Sequence, residues 1–131
     1  MISIIFWILA AICNAIMDTC SHHFPKSVFS KYPYFWNTEN SWKNKYVNWP
    51  YNADRRKVKI WNWKFNYPVQ LTDSFHLFKM LMIVFICLSI VFFEPTPGHN
   101  WIWKLLVFVI YGIVWNLIFN LFYNHILIKK K

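Results

Sequence analysis

This 131-residue sequence predicts an α-helical integral membrane protein with three transmembrane helices, on three observations. Hydrophobic residues make up 57% of the chain and charged residues only 15%, well below the charged share of an ordinary soluble domain. Three apolar runs approach the length needed to cross a bilayer. The basic residues gather in one stretch between the first and second runs, as the positive-inside bias expects of a cytoplasmic loop. The aromatic share of 22% points the same way, because Trp and Tyr favour the boundary between hydrocarbon and water. Only two glycines are present, which excludes Gly-rich phosphate loops and flexible linkers. A soluble bundle would need a polar face on every helix, and the second and third runs are apolar nearly all round.

The first helix is placed at residues 2–20. Ile2 to Met17 carries no charge and only Ser3 and Asn14 as polar side chains. Those residues alone give about 24 Å of helix at roughly 1.5 Å per residue, so the span needs the continuation towards Cys20. A cleaved signal peptide competes with this reading. It would want basic residues ahead of the run and small residues at a cleavage point, and "NAIMDTC" is a poor one.

The second helix is placed at residues 73–93, where "LTDSFH" reads as a helix start and Lys79 can snorkel to the headgroups. The turn "EPTPGHN" at 94–100 leads into a third helix at 101–125, and a basic tail follows at 126–131. The second and third helices together read as a transmembrane helical hairpin.

Orientation follows from charge. Nine of the fourteen basic residues lie between Asp18 and Ser74, and three more end the chain. With three spans these stretches share one side, which the positive-inside bias makes cytoplasmic, leaving the N-terminus outside.

The segment at 21–72 is aromatic and basic, and is expected at the membrane interface. "KVKIWNWKF" alternates with a period of two, which suggests a short strand. "NKYVNW" would be its partner in a β-hairpin, across a turn at "PYNADRR". Alternating bases and aromatics also serve single-stranded nucleic acid. With membrane helices on both flanks, anionic lipid headgroups are the nearer polyanion, and nucleic acid is not favoured. The other expected partners are a second copy of the chain or a larger membrane protein.

Polar residues inside spans are costly, so their positions carry information. Asn14, Asp18 and His22 are four apart on the first helix, and Asp73 and His76 are three apart at the start of the second. Gly112, Asn116, Asn120 and Asn124 are four apart on the third. All three groups fall toward the cytoplasmic end, and the outer halves carry almost no polar side chains.

Two expectations compete. In one, Asp18, His22, Asp73 and His76 form a carboxylate–imidazole set suited to zinc or another divalent metal. His23, Asn14, Asn116, Asn120 and Asn124 would support it, and the metal would activate water against a lipid ester or phosphate. In the other, Asp73 is a helix cap, the acid and histidines mark the water interface, and the asparagines lock helices together. Cys13, Cys20 and Cys87 form no C-x-x-C pair and read as small packing residues. No Ser–His–Asp set, nucleophile elbow or Walker motif occurs. The function classes left open are a membrane protein with a polar interfacial site, a non-catalytic subunit of a membrane complex, and a metal-dependent lipid enzyme.

At "DTCSHHFPKSVFS", "FWNTENSWKNKY" and "LTDSFHLF" the chain resembles a family of small, uncharacterised bacterial and phage membrane proteins. The resemblance covers roughly residues 15 to 80. It implies that these three blocks belong together, and it implies no activity.

Overall fold

The computed structural model describes residues 2–48, 50–93 and 101–129. Three helices in it are long and apolar enough to cross a membrane: α1 (Ile2–His22), α4 (Ser74–Val91), and α5 (Trp101–Leu121) with its π-helical extension Phe122–Ile126. Between α1 and α4 lie two short helices, α2 (Pro33–Trp36) and α3 (Thr38–Ser41). Four strands follow: β1 (Tyr46–Asn48), β2 (Asn52–Arg55), β3 (Lys57–Ile60) and β4 (Trp63–Asn66). The expected turn at 94–100 lies outside the described residues.

The three spans do not pack as a helical hairpin with a third helix beside it. Instead α1 is the centre, touching both α4 and α5, while α4 and α5 meet little beyond Phe93 against Tyr111. Side-chain size explains this. Ala10, Ala11, Cys13 and Ala15 are buried on α1, and such small residues let neighbouring backbones approach closely where lipid offers no hydrophobic drive. The second and third helices carry mostly Leu, Ile, Val and Phe, which are content against lipid tails, and none of the residues of α5 is buried.

Contacts fix the directions. Ser3 meets Ser89 and Cys20 faces Ser74, so α1 and α4 are antiparallel. Trp7 meets Tyr111 and Trp115 while the His23 ring lies tilted against that of Tyr123, so α1 and α5 run parallel. The spans therefore alternate, and residues 23–72 share one end of the bundle with the end of α5.

At that end the intervening segment is tied down. The Phe29 and Trp36 rings stack at 3.9 Å, and Trp36 leans on Phe78 of α4. Beyond α5 the chain returns to the segment after α1: the Val28 N–H donates to the Leu127 carbonyl (2.9 Å) and the Lys129 N–H to the Lys26 carbonyl (2.8 Å).

The strands differ from expectation. The run from Lys57 to Phe65 is not one strand but two, β3 and β4, paired antiparallel around Trp61 and Asn62. "NKYVNW" supplies β1, whose partner is β2 instead. The reason is local. Trp61 takes a φ of +55°, the sign that tight two-residue hairpin turns require at their first central position. Arg56 joins the two hairpins, its N–H donating to the Lys45 carbonyl (2.9 Å) and its Nε to the Tyr46 carbonyl (3.0 Å).

Candidate functional site

The fold of the end nearest residues 23–72 is set by three sequence blocks that meet there. Thr38 Oγ1 donates to the Cys20 carbonyl (3.2 Å), tying α3 to the end of α1. Asn44 Nδ2 donates to the Tyr34 carbonyl (2.7 Å) and the Thr72 carbonyl (3.0 Å), tying the "SWKNKY" stretch to the start of α4. The residues most deeply enclosed at this junction are polar. Thr19, Ser41, Thr72, Asp73 and Ser74 are all buried.

Asp73 is the chemical centre of that junction. It precedes α4 in an extended conformation, and its Oδ1 accepts the His76 backbone N–H at 2.9 Å, as an N-cap carboxylate does. The same carboxylate lies against the His76 ring, with Nδ1 2.9 Å from Oδ1 and 2.8 Å from Oδ2. Thr72 Oγ1 adds a contact at 3.2 Å to Oδ2. Asp73 is 1% exposed, whereas the His76 side chain is 37% exposed. A carboxylate only accepts hydrogen bonds, so the pair places the imidazole proton on Nδ1. Nε2 is then the open nitrogen, and no described residue bonds to it. In a neutral imidazole held this way, Nε2 is the nitrogen able to accept a proton, as a general base must.

Near the dyad, the buried hydroxyls of Thr19 and Ser41 have no hydrogen-bond partner among the described residues, while the Ser74 side chain faces Cys20. The two hydroxyls stand on α1 and α3, which meet here beside the start of α4.

The remaining expected site residues are placed as follows. Among the described residues no group of three or more His, Cys, Asp or Glu side chains converges to hold a metal ion, and of the four expected ligands Asp73 and His76 are in contact. Asp18 is half-buried on α1. His22 is exposed at the end of α1. His23 is half-buried with its ring 5.4 Å from that of Tyr123, and Asn14 is half-buried on α1. The three asparagines of α5 are exposed and bond along their own helix: Asn116 Nδ2 to the Gly112 carbonyl (3.1 Å), Asn120 Nδ2 to the Asn116 carbonyl (2.8 Å), and Asn124 Nδ2 to Asn120 Oδ1 (3.2 Å).

No family model, curated protein or solved structure matches this chain. The site is therefore read from its own geometry.

Two features escaped the sequence reading. The first is a polar cluster at the opposite end of the bundle, where almost no polar side chains were expected to matter. Ser3 Oγ donates to the Ser89 carbonyl (2.7 Å) and lies 3.0 Å from the Tyr111 hydroxyl, while Trp7 Nε1 donates to the Tyr111 carbonyl (2.9 Å). Each partner is a lone polar group in an apolar run, and that isolation was the available signal.

The second is the sidedness of the β3–β4 hairpin. Paired residues share a face, so Lys57, Asn66, Lys59 and Lys64 lie on one side and Val58, Phe65, Ile60 and Trp63 on the other. A single strand over 57–65 would have mixed lysines with Trp61, Trp63 and Phe65. The turn shifts the phase and sorts them. Trp61 at the tip and Trp63 on the apolar face are 88% and 71% exposed. The hairpin is thus an unburied amphipathic element with a basic back, of the kind that suits an anionic lipid surface.

Proposed function

We propose that the chain is a three-span membrane protein whose His76, oriented by buried Asp73, serves as a base toward lipid headgroups at the cytoplasmic leaflet. The observation that carries this reading is the bond from the His76 imidazole Nδ1–H to a buried carboxylate, with no described residue bonded to Nε2. In this reading the N-terminus lies outside, and residues 23–72 and the end of α5 lie in the cytoplasm, following the distribution of basic residues. The amphipathic hairpin seats that side on anionic lipid, with Trp61 and Trp63 in the interface and the lysines drawn to phosphates.

The chemistry available to such a dyad is acid–base. Nε2 takes the proton of a hydroxyl or water as that oxygen attacks an ester carbonyl or phosphorus. The resulting imidazolium, stabilised by Asp73, returns the proton to the departing oxygen. No metal ligand beyond the pair is required for this step.

The test uses purified full-length protein in vesicles of phosphatidylcholine and phosphatidylglycerol, with lipid masses followed over time. A headgroup or acyl product is expected with the native chain, and His76→Ala should lower its rate by about 10²-fold or more. Unchanged lipids with the native protein would overturn the enzymatic reading. Orientation is tested separately: labelling of Pro50→Cys from the outer side alone would reverse the topology.

A further inference from the structure

The asparagine stripe of α5 does not do what its spacing suggested within one chain. Gly112, Asn116, Asn120 and Asn124 are all exposed, while Tyr111, Val114, Trp115 and Ile118 are partly covered on the side toward α1. The amides satisfy themselves only in part. Each Nδ2 uses one of its two hydrogens, and Oδ1 of Asn116 and of Asn124 has no partner among the described residues. On a helix apolar enough to span a bilayer, this leaves the amides of Asn116 and Asn120 facing hydrocarbon, which lipid tails cannot hydrogen-bond, with Asn124 at the end nearest residues 23–72.

We propose that the stripe from Gly112 to Asn124 is the interface of a parallel homodimer within the membrane. The chemistry of the stripe and the open space beside Gly112 suit a second copy. An amide both donates and accepts, so the stripe is complementary to itself and carries no charge that would call for an opposite one. Copies inserted in the same sense bring each asparagine to its own counterpart at the same depth across a two-fold axis along the membrane normal. Gly112 gives the approach its room: a Cβ added there meets nothing within 4 Å. Glycine at such a position lets two backbones come close, and residues at every fourth position drift around the helix in the sense that favours a right-handed crossing near −40°. The interface also borders a largely apolar groove of about 890 Å³ lined by Trp7, Trp103, Phe108, Tyr111 and Trp115 with Lys104 among them, at the end of the bundle opposite the dyad. A partner helix seated on Gly112 and Asn116, which line the same groove, would cover its open side.

The test is energy transfer between donor- and acceptor-labelled full-length copies mixed in phosphatidylcholine vesicles. The native chain should show transfer that falls on dilution with lipid. Asn116→Leu combined with Asn120→Leu should weaken association roughly tenfold, the scale of a few interhelical amide bonds. Gly112→Leu is the sharper variant. Nothing in the monomer occupies its space, so thermal unfolding should stay near native while transfer is lost. Ile83→Ala, on the exposed side of α4, should leave transfer unchanged. Native protein that gives no transfer, variants that associate as the native chain does, or capture of a different membrane protein on the stripe without a second copy would each overturn the proposal.

Discussion

At the N-terminal end of the bundle Ser3, Ser89 and Tyr111 come from three different helices, whereas at the other end Asp73 and His76 come from one turn of α4. Both groups are small polar sets at the margin of apolar spans, yet their connectivity differs. The first closes α1, α4 and α5 onto one another, and hydroxyls in such a knot have their bonding spent on structure. The second needs no other span to form, and it leaves a nitrogen unspent. Bridging marks a polar group that assembles the bundle. A local pair with a free outward atom marks one available for chemistry.

The comparison breaks most visibly at Asp73. Asp73→Ala removes the cap of α4 and the anchor of His76, and it frees Thr72 Oγ1 from one neighbour. We expect a loss of about 2 kcal/mol in unfolding free energy, read by denaturation in detergent micelles. Proton exchange at the His76 ring should accelerate in the same variant, because the Nδ1 hydrogen has lost its acceptor.

Ser3→Ala tests the other end. It deletes the donor to the Ser89 carbonyl and the contact to Tyr111, at a cost of about 1 kcal/mol, since interhelical hydrogen bonds in membranes are individually modest. It should leave the His76 ring signals unmoved. A shift there would mean that the two ends are coupled, and the division between bridging and available groups would fail.

How much of this was legible depends on how local each feature is. The spans were legible because their cause, a long apolar run, is written continuously in the sequence. The Asp73–His76 pair was legible for the same reason: an acid at a helix start with histidine three residues on meets by helix geometry alone. Whether Asp18 and His22 would join them depended on how α1 rotates against α4, which small residues on several sides of α1 decide together. The Ser3 cluster gave no spacing signal, because its members lie 86 and 108 positions apart. The hairpin was misread because its turn carries Trp61 and Asn62 with no glycine, so nothing interrupted the alternation to announce a change of phase.

His76→Ala separates stability from chemistry. The backbone N–H of residue 76 still caps onto Asp73, so the loss should stay below about 1 kcal/mol. Any turnover of lipid should nonetheless fall by about 10²-fold or more. A variant that unfolds as readily as Asp73→Ala would instead make His76 a structural partner of the cap, and the dyad would belong with the Ser3 cluster.

The smallest effect is expected at Trp61. Its positive φ is strained for a side chain of that size, and glycine relieves the strain at the cost of greater freedom in the unfolded chain. Trp61→Gly should therefore change stability by only about 0.5 kcal/mol, in the favourable direction. The pairing of Ile60 with Trp63 should persist, seen as slow amide exchange on both sides of the turn. What should change is contact with lipid: quenching of the remaining Trp63 by shallow brominated lipids should weaken as the tip anchor goes. Quenching that is unaltered would show that the apolar face alone holds the hairpin to the bilayer. Loss of the slow-exchanging amides would show that the tip ring, rather than the turn geometry, sets the register that sorts lysines from aromatics.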